Sequence, residues 1–324
     1  MANYAVRLNG TAPGTKTFGH ELKLMAIRIA TAPVSWGVME VETSWGRTQS
    51  FESVLDEMVS AGYRGTELGP WGFLPTDPER LTAELSRRNL CLIGAFVPIA
   101  LADSERFSAG YESAIATARL LSECDAPVVV LADAMYEHRM AVAGRVQEGN
   151  DGLPEAAWSS AAKLLEKIAA DVKPLGLRAV FHHHAGTYIE TPSEIRRLLS
   201  MTNPSLLGLC LDTGHYLYGG GDPVEAAQKY ASRIWHVHLK DVRRDVLNCA
   251  RKEKRSFLDA VADGVFCPLG EGDVDIVGVI NELQAQGYDG WAVFEQDVDP
   301  TKPGIMPKQS AAASREYLRH AAAI

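Results

Sequence analysis

The chain has 324 residues, 46% hydrophobic and 23% charged, with a formal net charge of −9. That length suits one α/β domain of roughly 250 to 300 residues and leaves no room for a second of similar size, while the acidic balance argues against nucleic acid or an anionic membrane as the main partner. No apolar run reaches the ~20 residues of a membrane span and the first 24 residues lack a signal-peptide core, so a cytoplasmic location is expected.

In chain order, residues 1–24 read as a short N-terminal arm and residues 25–324 as the catalytic domain. Eight β-rich runs follow: "IRIATAPVSW", "YRGTELG", "CLIGAFVP", "PVVVLAD", "LRAVFHHH", "LLGLCLD", "IWHVHLKD" and "GWAVFEQD". Amphipathic segments separate them, the pattern of parallel βαβ units. Three of the helices start on a capping side chain followed by proline: Asp77-Pro78, Thr191-Pro192 and Asp222-Pro223. Eight such units, with no GxGxxG in the first turns, predict a single closed (β/α)8 barrel rather than a doubly wound sheet. The connections after strands four (Asp133 to Gly152) and seven (Val242 to Asp273) are the longest and belong to the active-site face, where the "RKEKRSFLDA" stretch predicts an ordered lid helix. Cys91, Cys124, Cys210, Cys249 and Cys267 form no CxxC pair and read as reduced thiols, mostly core filler.

Strand ends carry the chemistry. Side chains alternate between barrel interior and helix layer, so His236, His238 and Lys240 share one face of strand seven. By the same period His182 and His184 share a face of strand five, Asp212 ends strand six and Glu295 ends strand eight. Buried without partners, each such group costs on the order of 1 to 3 kcal/mol, and charged ones more. A divalent cation compensates the set, and mixed nitrogen and oxygen donors without a thiolate suit Mn²⁺, Co²⁺, Fe²⁺ or Zn²⁺ better than Mg²⁺ or Ca²⁺. Taken singly, the histidines also suit an exposed strand end, Asp212 a turn before Thr213-Gly214, and Glu295 a salt-bridge partner.

The stretch "LGLCLDTGHYLYGGGDPVEAAQKYASRIWHVHLKDVR" resembles the metal-binding half of the xylose-isomerase-like TIM barrels, the sugar phosphate isomerase/epimerase family. With "HHHAGT", "SFLDAVADGVF" and "GEGDVD" the resemblance narrows to the inosose dehydratases and spans about Ile27 to Asp299. It implies a metal set of Asp212, His238 and Glu295 with His182 as the strand-five ligand, where many relatives have glutamate. It further implies a divalent metal, Mn²⁺ or Co²⁺ first, and a small keto-polyol or keto-sugar substrate. No nucleic-acid or membrane partner is expected, and a homo-oligomer stays open.

Such a site enolises next to a ketone and eliminates a β-hydroxyl. Glu295 is then ligand and base, His184 and His215 substrate contacts or proton shuttles, and Lys240 the cation for the oxyanion. With His182 where epimerases place a second glutamate, elimination is favoured over epimerisation. Glu67 reads as a substrate-hydroxyl contact or a rim ion pair, and Trp36, Trp71 and Phe96 as an aromatic pocket wall that departs from the dehydratase pattern. That wall keeps open a 3-keto-glycoside lyase, a C-glycoside deglycosidase-type enzyme, or a ketose isomerase or epimerase. A non-catalytic sugar-binding barrel is the remaining alternative.

Overall fold

The structure is a computed structural model that describes residues 27–46, 48–147 and 149–324, so the expected arm at residues 1–24 lies outside the described residues. Eight parallel strands form the barrel: Arg28–Thr31, Gly65–Glu67, Cys91–Ile99, Val128–Asp133, Arg178–His182, Leu207–Asp212, Ile234–Leu239 and Trp291–Phe294, here strands one to eight. Each pairs with its neighbours in sequence, and strand one closes on strand eight with Arg28 opposite Trp291 and Thr31 opposite Phe294. Closure removes every exposed edge of the barrel and makes the ends of all eight strands converge on one mouth.

The strand period divides the core. Val129, Leu131, Leu209, Leu211, Val237 and Leu239 belong to the large apolar layer shared with the helices. Val128, Val130, Val180 and Cys210 form a separate small plug, and they have the parity of His182 and Asp212 one layer above. Small apolar residues thus fill the lower interior while polar ones occupy its upper end. The predicted caps form as expected: Asp77 accepts from the Arg80 N–H at 2.9 Å and Asp222 from Val224 at 2.8 Å, while Thr191 and Glu194 complete a reciprocal capping box. Each is worth about 1 kcal/mol.

Strand one is shorter than "IRIATAPVSW" suggests. Pro33 has no N–H to continue the ladder, and Pro33–Trp36 instead form a 3₁₀ turn that exits through Gly37 at φ +77°. The turn carries Trp36 into the core, 1% exposed, where its indole N–H donates to Glu57 Oε2 at 2.7 Å. The expectation that Trp36 walls the substrate pocket is therefore corrected. So is the view of the thiols as mostly core filler, since Cys91 and Cys249 are exposed and only Cys210 and Cys267 are buried.

Both long connections are ordered. The first carries helix Glu137–Val142, and the second carries helices Arg244–Glu253 and Phe257–Ala262 in place of the single lid helix expected. A short antiparallel ribbon pairs Asp241–Val242 with Phe266–Cys267, and the Asp241 carboxylate accepts N–H bonds from Val242, Gly270, Gly272 and Val274. Arg145 donates to the Arg255 carbonyl at 3.0 Å and so ties the two connections together.

Candidate active site

Strands five to eight bring His182, Asp212, His238 and Glu295 to one point, each offering a donor atom within 4.8 Å of the others. Asp212 Oδ2 lies 3.4 Å from His182 Nε2 and 3.8 Å from His238 Nδ1, and His238 Nδ1 lies 3.1 Å from Glu295 Oε2. All four residues are buried, yet both ring nitrogens of His182, Asp212 Oδ2 and His238 Nδ1 have no hydrogen-bond partner among the described residues. Orphaned lone pairs aimed at a common point fit a divalent cation, and two imidazoles with two carboxylates match the borderline transition metals. Burial lowers the His182 pKa, keeping its ring neutral as a ligand must be. Burial also opposes charge on His238, but the acidic groups around it, Cys210, Glu295 and Glu67, hold it well above the ordinary imidazole value without a cation.

Lys240 stands beside this set. Its Nζ is 2.7 Å from Asp297 Oδ1, 2.9 Å from His215 Nε2, 3.2 Å from Glu295 Oε2 and 3.4 Å from Asp212 Oδ2. Burial would strip its proton, but Asp212, Asp297 and Glu295 keep it charged. Gly214 makes this placement possible, since a Cβ there would fall 2.6 Å from Lys240 Cγ. Asp297 itself is pushed up to about 6, chiefly by burial. His184 and His215 pack with ring centroids 3.7 Å apart and planes tilted by 38°, and burial holds both well below the usual imidazole range. The His184 Nδ1–H donates to the Ala185 carbonyl at 2.7 Å, with the tautomer assigned from that contact.

Glu67 is not at the rim. It is 2% exposed, and its Oε1 accepts from His236 Nε2 at 2.7 Å and His238 Nε2 at 3.1 Å. Burial would raise its pKa, but the charge of His238 and hydrogen bonds from His236 and His238 hold it below the carboxylate range.

A chamber of about 220 Å³ opens above these groups, with Glu67, Phe96, His184, Lys240, Glu295 and Asp297 in its lining. Phe96 meets His182 edge-on at 5.5 Å, and Val34, Val38, Pro98 and Met135 complete an apolar wall. An outer groove of about 680 Å³ continues from it past Met39, Val41 and Phe96 to Trp71, which is 52% exposed. Trp71 therefore lines the groove and not the inner chamber. His215 lies behind His184, outside the chamber lining, and Phe257 of the second lid helix covers both, 5.3 Å from His184 and 5.9 Å from His215.

Several residues of the mouth escaped the sequence reading. Asp133 ends strand four and accepts from Leu101 N–H, Tyr188 N–H and Tyr136 O–H, so three loops hang on one carboxylate. Buried Arg139 forms a bidentate pair with Glu194, whose neighbour Glu190 accepts from Gly144 N–H and Gly186 N–H. Asp297 had a signal: it is two residues beyond Glu295 in "FEQD", the spacing that puts side chains on one face.

A closed eight-stranded parallel barrel with a polar cluster at the carboxyl ends of strands five to eight is a (β/α)8 barrel with its candidate site on the catalytic face. The family model described as xylose isomerase-like TIM barrel matches residues 55–321, and the chain belongs to that family. It is 33% identical over 298 residues to an inosose dehydratase of Clostridium tetani (strain Massachusetts / E88), covering 92% of this chain and 98% of that protein. It is 36% identical over 279 residues to the rhizopine catabolism protein MocC of Rhizobium meliloti, covering 86% and 84%. Among solved structures, the probable 3-DHS dehydratase AsbF of Bacillus anthracis superposes with a TM-score of 0.66 at 16% identity, covering 91% of this chain and 99% of that one. Among the described residues no helix is long and apolar enough to cross a membrane.

Proposed function

We propose that the protein is a divalent-metal-dependent hydro-lyase that removes water from a keto-cyclitol such as 2-keto-myo-inositol. The observation that carries this reading is the set of orphaned donor atoms on His182, Asp212 and His238, with Glu295 beside them, at the base of a chamber sized for one small ring. The relatives named inosose dehydratase, similar over nearly their whole length, point to the same substrate class. His182, Asp212, His238 and Glu295 would hold the ion, with Mn²⁺ or Co²⁺ preferred. A bound ion supplies Lewis acidity to a ketone and its neighbouring hydroxyl.

The protein groups do the rest. Glu295, kept ionised against burial by His238 and Lys240, takes the proton from the carbon next to the ketone. The C–H electron pair becomes the enol double bond, and the Lys240 ammonium, 3.2 Å from Glu295, faces the oxyanion that develops. The β C–O bond then breaks, and the departing hydroxide leaves as water with the proton that Glu295 collected. His184, its Nδ1–H tied to Ala185, offers Nε2 to a substrate hydroxyl, while Asp297 and His215 hold Lys240 in place.

The outer groove favours a second reading, a 3-keto-glycoside lyase working by the same elimination, because Trp71 and Phe96 offer aromatic faces beyond the space of a single ring. Incubating Mn²⁺- or Co²⁺-loaded protein with 2-keto-myo-inositol and with 3-keto-glucosides, while recording enone or dione absorbance, separates the two. Absence of product from both, with metal bound, overturns the lyase.

A further inference from the structure

The buried Glu67 and His236 form a layer directly beneath His238, and nothing in the elimination uses them. We infer that Glu67, braced by His236, is a positioning residue that holds His238 with its proton on Nε2 and the Nδ1 lone pair turned toward the metal site. This rests on the metal reading proposed above.

The two ring nitrogens of His238 are divided between two environments. Nε2 lies 3.1 Å from Glu67 Oε1, and an ionised carboxylate only accepts, so this nitrogen must carry the hydrogen. Nδ1 faces Glu295 Oε2 at 3.1 Å and Asp212 Oδ2 at 3.8 Å and makes no hydrogen bond. Without an acceptor at Nε2 the neutral ring is free to place its proton on Nδ1, where it blocks a metal. His236 donates to the same Oε1 at 2.7 Å and fixes its direction from a second side. A histidine ligand whose far nitrogen donates to a carboxylate is both oriented and made more basic.

The backbone is shaped for this layer. Between Thr66 and Glu67 the register of strand two slips, so Thr66 faces Leu92 while Glu67 faces Gly94. Between Leu209 and Cys210 strand six slips in the same way, and Cys210 then sits opposite His236. Bulges re-aim side chains, and the extra residues, Ile93 on strand three and Trp235 on strand seven, fall beside Glu67 and directly before His236.

The test uses full-length protein labelled with ¹⁵N-histidine and loaded with Zn²⁺ as a diamagnetic probe. Wild type is expected to bind one equivalent, with long-range ¹H–¹⁵N correlations showing His238 protonated on Nε2 and metal-bound through Nδ1. Glu67→Ala should keep the stoichiometry, weaken zinc binding about 10- to 100-fold and lose the sheltered Nε2–H signal. Glu67→Gln, whose amide oxygen still accepts one N–H, should recover part of both, and it carries the test by itself should the alanine variant not fold. Unchanged affinity and an unchanged Nε2–H signal in Glu67→Ala overturn the positioning role alone. Loss of all zinc from both variants also overturns it, by making Glu67 a direct ligand. If wild type itself binds no stoichiometric zinc, the metal reading falls and this inference with it.

Discussion

The two halves of the barrel mouth differ in kind. Strands five to eight end in His182, Asp212, His238 and Glu295, buried groups gathered within a few ångströms, and both ring nitrogens of His182, Asp212 Oδ2 and His238 Nδ1 have no hydrogen-bond partner among the described residues. The opposite side offers Phe96, Pro98, Val34 and Met135 as an apolar wall, and its buried acids at strand ends, Glu67 and Asp133, are taken up by His236 and His238 and by loop N–H and O–H groups respectively. Unsatisfied polarity marks where chemistry is done, and satisfied polarity marks where the scaffold is held. The apolar wall is left to set the shape of what enters.

The largest effect should come from the polar half. Asp212→Ala removes a carboxylate that faces His182, His238 and Lys240 and should abolish stoichiometric metal, costing several kcal/mol of transition-state stabilisation, on the order of 10³-fold in kcat/KM. Metal analysis and turnover check it, and full occupancy in this variant would break the contrast. The three consecutive histidines sharpen it. His184→Ala should keep the metal and lower kcat about 10²-fold, whereas His182→Ala should lower metal affinity. His183, which packs edge-on to Tyr216 at 5.5 Å and accepts from the Asp212 N–H, should affect only stability, by about 1 to 3 kcal/mol in a denaturant titration of His183→Ala. Were His183→Ala to lose metal while the other two stayed silent, the assignment of strand-five residues to the site would be wrong.

Changes on the apolar side should be milder. Phe96→Ala removes the ring edge-on to His182 and should raise KM about 10-fold with the metal retained, since an aromatic contact is worth about 1 kcal/mol beyond its area. A drop in kcat with unchanged KM would instead place Phe96 in the chemical step. The same side also predicts a pH dependence of stability. Burial pushes Asp133 up to about 7 against the three hydrogen bonds it accepts, while in the unfolded chain it titrates near 4. The folded protein thus binds more protons between these values, and the Asp133 contribution is complete below about pH 4 and lost as pH rises through 7. Thermal melts should show a loss of about 2 kcal/mol from pH 5 to pH 8, and Asp133→Asn, though less stable at pH 5, should show a flatter profile. An equal slope in both proteins would assign the pH dependence to another group.

Much of this was legible in advance because periodicity reports directly on burial. Eight apolar runs with helical spacers, three capped helix starts and the alternation in "IWHVHLKD" were enough to expect a closed barrel with His236, His238 and Lys240 facing inward. "PVSW" misled, since a valine and a tryptophan alternating with a serine read like strand, and only the packing of Trp36 against Glu57 shows that the chain has turned away from the mouth. The connections were legible as long and as mouth-facing, but not as two helices and a ribbon gathered on Asp241.

The sequence by itself determined which residue types end each strand and which of them share a face, because a two-residue period leaves little freedom once a strand is buried. Tertiary structure alone decided how those residues divide their work. Glu67 lies 169 residues from His236 and 171 from His238, and a slip in register at Thr66 is what turns its carboxylate onto them. Lys240 and Asp297 follow strands seven and eight and meet at 2.7 Å, with Gly214 leaving room for the Lys240 stem. Such pairings depend on barrel closure and on local bulges, which sum weak preferences over the whole chain, and no short stretch of sequence carries them.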